Sequence, residues 1–299
     1  MPATMSARHT ALAPVFAVMA GIALYSAMDA TMKSASIAVG AFSAYFLRSV
    51  IGLLLIGPFW WLRGGRMPGP AVFRVHLLRG VVVAFMGWAF FAALVYLPLA
   101  ETIAISFVAP LIALYLAAIL LGEAIERRAV VAALLGLAGV VVIVGSRIGR
   151  EALTDEAVTG LVLIGISALL YAWNLVLQRQ QALIAGPAEI STFQNGIVAA
   201  TLSFGTPFLL EMPRGGVWLE IGAGAMLAVG AALFISWAYA RANTQKLVPI
   251  EYTGFLWASL FGWLYFGEEV SAMTMVGAAL IVVGCWIGTR RQRPEQSAV

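Results

Sequence analysis

Two rows of polar side chains stand out in an otherwise apolar chain. Ser167, Tyr171, Asn174, Gln178 and Gln181 recur at i, i+4, i+7, i+11 and i+14, which puts all five on one face of a helix. Ser26, Asp29, Lys33 and Ser36 form a similar row earlier in the chain. Amides and hydroxyls in this arrangement can replace the hydration of a small polar solute, and a carboxylate can carry a proton. Such residues also hydrogen-bond neighbouring helices as glue. Two copies of the row favour a shared cavity lining over glue.

Covalent and metal chemistry find little support. Cys285 is the single cysteine, so neither an intrachain disulfide nor a CxxC site can form. His9 and His76 are too few and too far apart for an HExxH zinc site, no acidic cluster suits magnesium, and no GxxxxGK[ST] phosphate loop occurs. A membrane-embedded enzyme would need a catalytic cluster near one interface, and Asp29 has no histidine close by in sequence. No cofactor, metal or enzymatic activity is expected.

The elements that carry these rows must be membrane helices. Of the 299 residues 62% are hydrophobic and only 11% charged, whereas soluble domains run near a quarter charged. A spanning helix takes about 20 residues, and apolar runs suggest ten: 12–33, 38–62, 76–97, 101–121, 128–146, 157–179, 188–210, 217–240, 247–266 and 272–289. Apolar spans of this length read as helices rather than barrel strands. The first is read as a retained helix, not a cleaved signal. With the N-terminus inside, thirteen basic residues fall on the cytoplasmic side and Lys33, Arg147, Arg150 and Arg214 outside, which fixes both ends inside a cell (inner) membrane. The pI of about 9.5 reflects these loops and gives no reason to expect a nucleic-acid partner.

The chain also repeats itself. At an offset of 145, Gly122-Glu123 falls on Gly267-Glu268, Gly139 on Gly284, Asp29 on Asn174, Lys33 on Gln178 and Ala93 on Ala238. The implied units are residues 1–150 and 151–299, each of five helices. An odd number inverts the second copy, and inverted repeats are an architecture of alternating-access secondary transporters.

With the Gly-Glu pair closing the fourth and ninth spans, the segment Tyr96-Leu97-Pro98-Leu99-Ala100-Glu101 and Pro110 in the next helix, the chain resembles the EamA-type drug/metabolite transporter superfamily, and within it the YddG-type exporters. The resemblance implies export of amino acids, aromatic ones in particular, and of some hydrophobic cations. It also marks Pro110, Glu123 and Glu268 as structural positions. Phe255 replaces the second proline, so a kink there would not be symmetric.

Depth suggests two gates. At about 1.5 Å per residue, Asp29 and Arg48 could meet in the outer third, and inverted symmetry would gather Asn174, Gln194 and Asn195 in the inner third. Lys33 and Glu101 join Asp29 and Arg48 as gating or coupling candidates. In an alternative reading Asp29 pairs with Lys33 and both snorkel outward. Aromatic residues away from the interfaces, namely Tyr25, Trp88, Phe107, Tyr171, Trp237, Tyr239, Tyr252 and Trp257, would line the cavity with Ser167, Asn174 and Gln178. Such a lining suits a flat apolar body with a small polar head, and also attracts cations. Of the cationic residues only Arg48 reads as deep, which disfavours phosphorylated substrates; His76 and Arg79 read more as cytoplasmic anchors than as a carboxylate site. Glu123 and Glu268 are expected to hold the turns into the fifth and tenth helices or to pair with Arg127 or Arg128. Gly284 to Gly288 forms a GxxxG pattern suited to close packing or to a homodimer contact.

Overall fold

The computed structural model describes residues 3–109, 112–113, 127–148, 154–239 and 253–289, with side chains omitted at 3–12 and at some positions within helices. Pro110, Glu123 and Tyr252 lie outside the described residues, and of Tyr239 only the backbone is described. The secondary structure assigned to the described residues is helical, in ten helices: α1 Ala3–Leu62, α2 Pro70–Tyr96, α3 Leu99–Ser106, α4 Arg127–Ile148, α5 Asp155–Ala182, α6 Pro187–Ser203, α7 Thr206–Leu209, α8 Val217–Tyr239, α9 Gly254–Phe266 and α10 Ala272–Thr289.

Local sequence explains where these helices bend, start and stop. Helix α1 is two arms meeting at Gly40, whose φ of 77° and ψ of 145° are non-helical and need a residue without a Cβ. The break falls just beyond the 34–37 connection that the apolar runs suggest. Pro70 and Pro187 open α2 and α6, where a missing N–H costs nothing. Thr154 caps α5 by accepting from the Ala157 N–H. Helix α9 ends at Gly267, left-handed at φ 63°.

Four helical stretches are long and apolar enough to cross a membrane: Ala13–Leu62, Pro70–Tyr96, Asp155–Gln178 and Val217–Ile235. Shorter apolar helices cover Leu134–Ser146, Gly254–Phe266 and Ala272–Gly284. Glycines mark the close helix crossings, because a Cβ there would collide with the neighbour. Gly21 of α1 lies against Ile235 of α8, Gly52 of α1 against Asn195 of α6, Gly80 of α2 against Ile197 of α6, and Gly160 of α5 against Tyr96 and Leu97. Helices α4 and α10 cross at Gly139 and Gly277, so these two helices pack on each other through a glycine outside the GxxxG pattern. The main core gathers Met28, Met32, Phe42, Tyr45, Phe91 and Leu94 around the α1, α2 and α8 contact.

Candidate functional site

The polar rows of α1 and α5 point inward. Ser26, Asp29, Lys33 and Ser36 are buried, as are Ser167, Asn174 and Gln181. Tyr171 is half-buried and Gln178 is exposed. Two clusters form where these rows meet other helices, one toward each end of the bundle.

The first cluster is ionic. The Lys33 ammonium pairs with Glu268, donates to the Leu97 carbonyl at 2.8 Å and lies 5.0 Å from the Phe266 ring centre. Glu268 in turn accepts from the Leu99 N–H at 2.7 Å. One carboxylate therefore holds the first arm of α1 and caps α3, where an anion is favoured by the unpaired N–H groups. Gly267 makes this possible by turning the chain back over α9, so that a Cβ on Gly262 would come 2.7 Å from the Glu268 Oε2. The physical content of the Gly-Glu pair is thus a left-handed turn and a returning carboxylate. Glu268 reaches Lys33; the side chains of Arg127 and Arg128, the partners expected from sequence, lie outside the described residues. Lys33 is buried and bonded away from Asp29, so it does not snorkel.

The second cluster joins α2, α5 and α6. Arg79, buried at 6% exposure, donates from Nε to the Asn174 Oδ1 at 2.9 Å and from Nη1 to the Gln181 Oε1. Gln181 also contacts the His76 Nδ1, and the His76 Nε2 lies 3.0 Å from the Glu189 Oε1. His76 stacks on Phe193 at 4.7 Å. Beside Glu189 a hollow opens between Trp60, Arg63 and Pro187. Arg79 and His76 are therefore buried groups that face other helices of the bundle. The i, i+3 spacing of His76 and Arg79 puts both on one helical face, and that face turns into the bundle; the partners on α5 and α6 were not legible from α2 alone.

Between the clusters lie the groups expected to gate. The Arg48 guanidinium sits 5.0 Å from the Tyr45 ring and 5.8 Å from Phe91, and Asp29 is buried. Tyr45 donates to the Val83 carbonyl at 3.0 Å. Ser167 donates to the Met86 carbonyl at 3.0 Å.

Other expected partners are apart. Asn174 gives its oxygen to Arg79, and the Asn195 amide turns back to the Ser191 carbonyl at 2.9 Å, so the expected cluster with Gln194 is not joined by hydrogen bonds. Glu101 accepts from the Thr274 hydroxyl at 3.4 Å. Trp88 is exposed and meets Phe42 edge-on at 6.2 Å, Trp237 is exposed, and Trp257 stacks near Phe261 at 6.3 Å. Phe107 is half-buried beside the smaller core around Leu97 and Ile105.

Comparison with known proteins decides what kind of scaffold this is. The model of the EamA-like transporter family matches residues 10–145 and again 158–289. The chain belongs to that family. It is 29% identical over 271 residues to the pseudopaline exporter CntI of Pseudomonas aeruginosa, covering 87% of this chain and 90% of the relative. It is 30% identical over 231 residues to the aromatic amino acid exporter YddG of Ancylobacter novellus, covering 75% and 77%. A riboflavin transporter of Brucella anthropi is 24% identical over 274 residues, covering 89% and 94%. A solved crystal structure 25% identical superposes with a TM-score of 0.63, covering 92% of this chain and 96% of its own. The chain is a multi-pass membrane transporter and not an enzyme.

Proposed function

We propose that this EamA-family transporter exports small amphipathic metabolites, most of all neutral or aromatic amino acids, across the cell (inner) membrane by alternating access. The observation that carries the reading is the pair of buried polar rows on α1 and α5. Polar groups inside a bilayer are costly and tend to line substrate or ion pathways. Exporters of pseudopaline and of aromatic amino acids among the relatives support the direction and the substrate class.

The proposed architecture is ten spans in two inverted five-helix repeats with both ends inside. Support comes from the two tandem family matches and from the packing. Helix α1 packs on α8 as α5 packs on α2, whereas α4 with α10 and α3 with α9 pair across the halves. Exchanging the halves leaves this pattern unchanged. In this orientation the Lys33 and Glu268 cluster lies toward the outside and the Arg79 cluster toward the inside, and they close opposite ends of one pathway. Energy comes from the substrate gradient or a coupled ion, with Asp29 and Glu101 as candidate proton carriers.

The test is uptake of a labelled aromatic amino acid into liposomes carrying the purified protein, with and without a pH gradient, competed by unlabelled amino acids and an organic cation. Saturable uptake competed by amino acids supports the reading. A second reading, export of organic cations, is favoured by the buried Asp29 carboxylate, and flux of the cation alone would establish it instead.

A further inference from the structure

Arg79 is a buried cation faced by neutral groups. The acceptors it has are amide oxygens, Asn174 Oδ1 and Gln181 Oε1. Among the described residues Lys33 pairs with Glu268 and the His76 ring meets Glu189, and no salt bridge involves Arg79. The carboxylate in the same network, Glu189, stands beyond both Gln181 and His76.

An uncompensated positive charge inside a bilayer is expensive and is retained where it meets an anion or a watery pathway. Arg79 has the second half of an anion site as well as the charge. The guanidinium carries five N–H donors, of which the two amide oxygens take two, and its planar fork matches a carboxylate in two parallel bonds. A charged acceptor makes bonds roughly twice as strong as a neutral amide. An arriving carboxylate therefore competes well with Gln181 for the guanidinium. Gln181 has a second partner in His76, so it stays anchored when displaced. A phosphate would bring a second negative charge to a single guanidinium.

We propose that Arg79 is the carboxylate-binding residue of the transport pathway and that the substrate is an organic carboxylate, taken by the guanidinium in place of the Gln181 amide. The proposal deepens the transport reading and rests on it for the pathway, though its binding test does not require flux.

The experiment uses the full chain in detergent and a matched series on one aromatic scaffold: phenylalanine, 3-phenylpropionate, phenylalaninamide and phenethylamine. Inorganic phosphate serves as the other anion. Binding is read by ligand-induced shift in melting temperature and by tryptophan fluorescence. The wild type should bind phenylalanine and 3-phenylpropionate at least tenfold more tightly than the amide and the amine, and phosphate more weakly still. Arg79→Gln, with Arg79→Lys as the conservative variant, should remove most of that preference, provided each elutes as the same folded species by size exclusion. If a folded Arg79→Gln variant keeps the wild-type preference, or the wild type itself prefers the amine, the amide or phosphate, the assignment is overturned. Should either variant fail to fold, the wild-type series alone decides. Carboxylate binding without amino-acid uptake in liposomes would leave the Arg79 site standing and remove the transport reading for amino acids.

Discussion

The Lys33 ammonium is held by Glu268 across 235 residues of sequence, and the same carboxylate caps the helix that begins at Leu99. The two residues therefore fasten the first arm of α1, the turn between α2 and α3, and the end of α9 at one point. Removing one partner leaves the other charged and buried, which costs about 3–5 kcal/mol. Lys33→Met and Glu268→Gln should each lower the melting temperature in detergent. The double variant Lys33→Met with Glu268→Met should recover much of the lost stability, since a buried pair is often replaced by apolar residues at little cost. Melting that falls further in the double variant would show that the pair is not the stabilising unit.

Gln181 stands between a group that can only donate and a ring that can do either. Arg79 has no acceptor, so the amide oxygen must face it. The Gln181 nitrogen then donates to the His76 Nδ1, and the ring proton sits on Nε2, where it donates to Glu189. One arginine thus fixes the amide orientation and the histidine tautomer in sequence. Nitrogen-15 NMR of His9→Ala protein, which leaves one histidine, should report a neutral His76 protonated at Nε2 at high pH. Gln181→Ala should release the ring to a mixture of tautomers. An Nδ1–H signal in the unmodified network would reverse this chain of donors.

Close contact between the second arm of α1 and α6 depends on Gly52. A Cβ there would lie 2.7 Å from the Asn195 Oδ1, and the Asn195 amide is tied to the Ser191 carbonyl. Gly52→Ala should therefore cost about 1–3 kcal/mol, the usual range for overpacking. Asn195→Ala in the same chain should relieve most of it, giving a coupling that thermal melts of the four proteins can measure. Additive effects would mean that the helices separate locally and that Asn195 is not the obstacle.

Much of this was legible in the sequence, and the misses share a cause. The polar rows of α1 and α5 follow helical spacing, which one segment alone reveals, and the Gly-Glu pair at 267 and 268 showed where a helix ends. Partners across the bundle are not encoded locally. Lys33 finds Glu268, and Asn174 finds Arg79 95 residues away, because helix packing brings those faces together. The position of the bend in α1 was offset for a similar reason: the positive φ at Gly40 reflects backbone geometry, whereas hydropathy continues across it. Glycines were read as pattern marks, yet Gly52, Gly80 and Gly160 are crossing points whose neighbours only the folded chain identifies.

A further crossing joins α4 to α10, backbone against backbone. A Cβ on Gly139 would come 2.5 Å from the Gly277 carbonyl oxygen, and one on Gly277 would come 2.6 Å from the Gly139 carbonyl oxygen. Each obstacle is backbone, which cannot rotate away as a side chain can. Either Gly139→Ala or Gly277→Ala must therefore push the helices apart, and the flanking Ile143 and Ile281, both fully buried, lose contact with it. The expected loss is at least the 1–3 kcal/mol of ordinary overpacking, or about that range again if the isoleucines leave a cavity. The two single variants should not add, because the first already opens the crossing that the second would obstruct. Melting temperatures of both singles and the double decide this: strictly additive losses would indicate that the two glycines are independent and that the helices do not cross there.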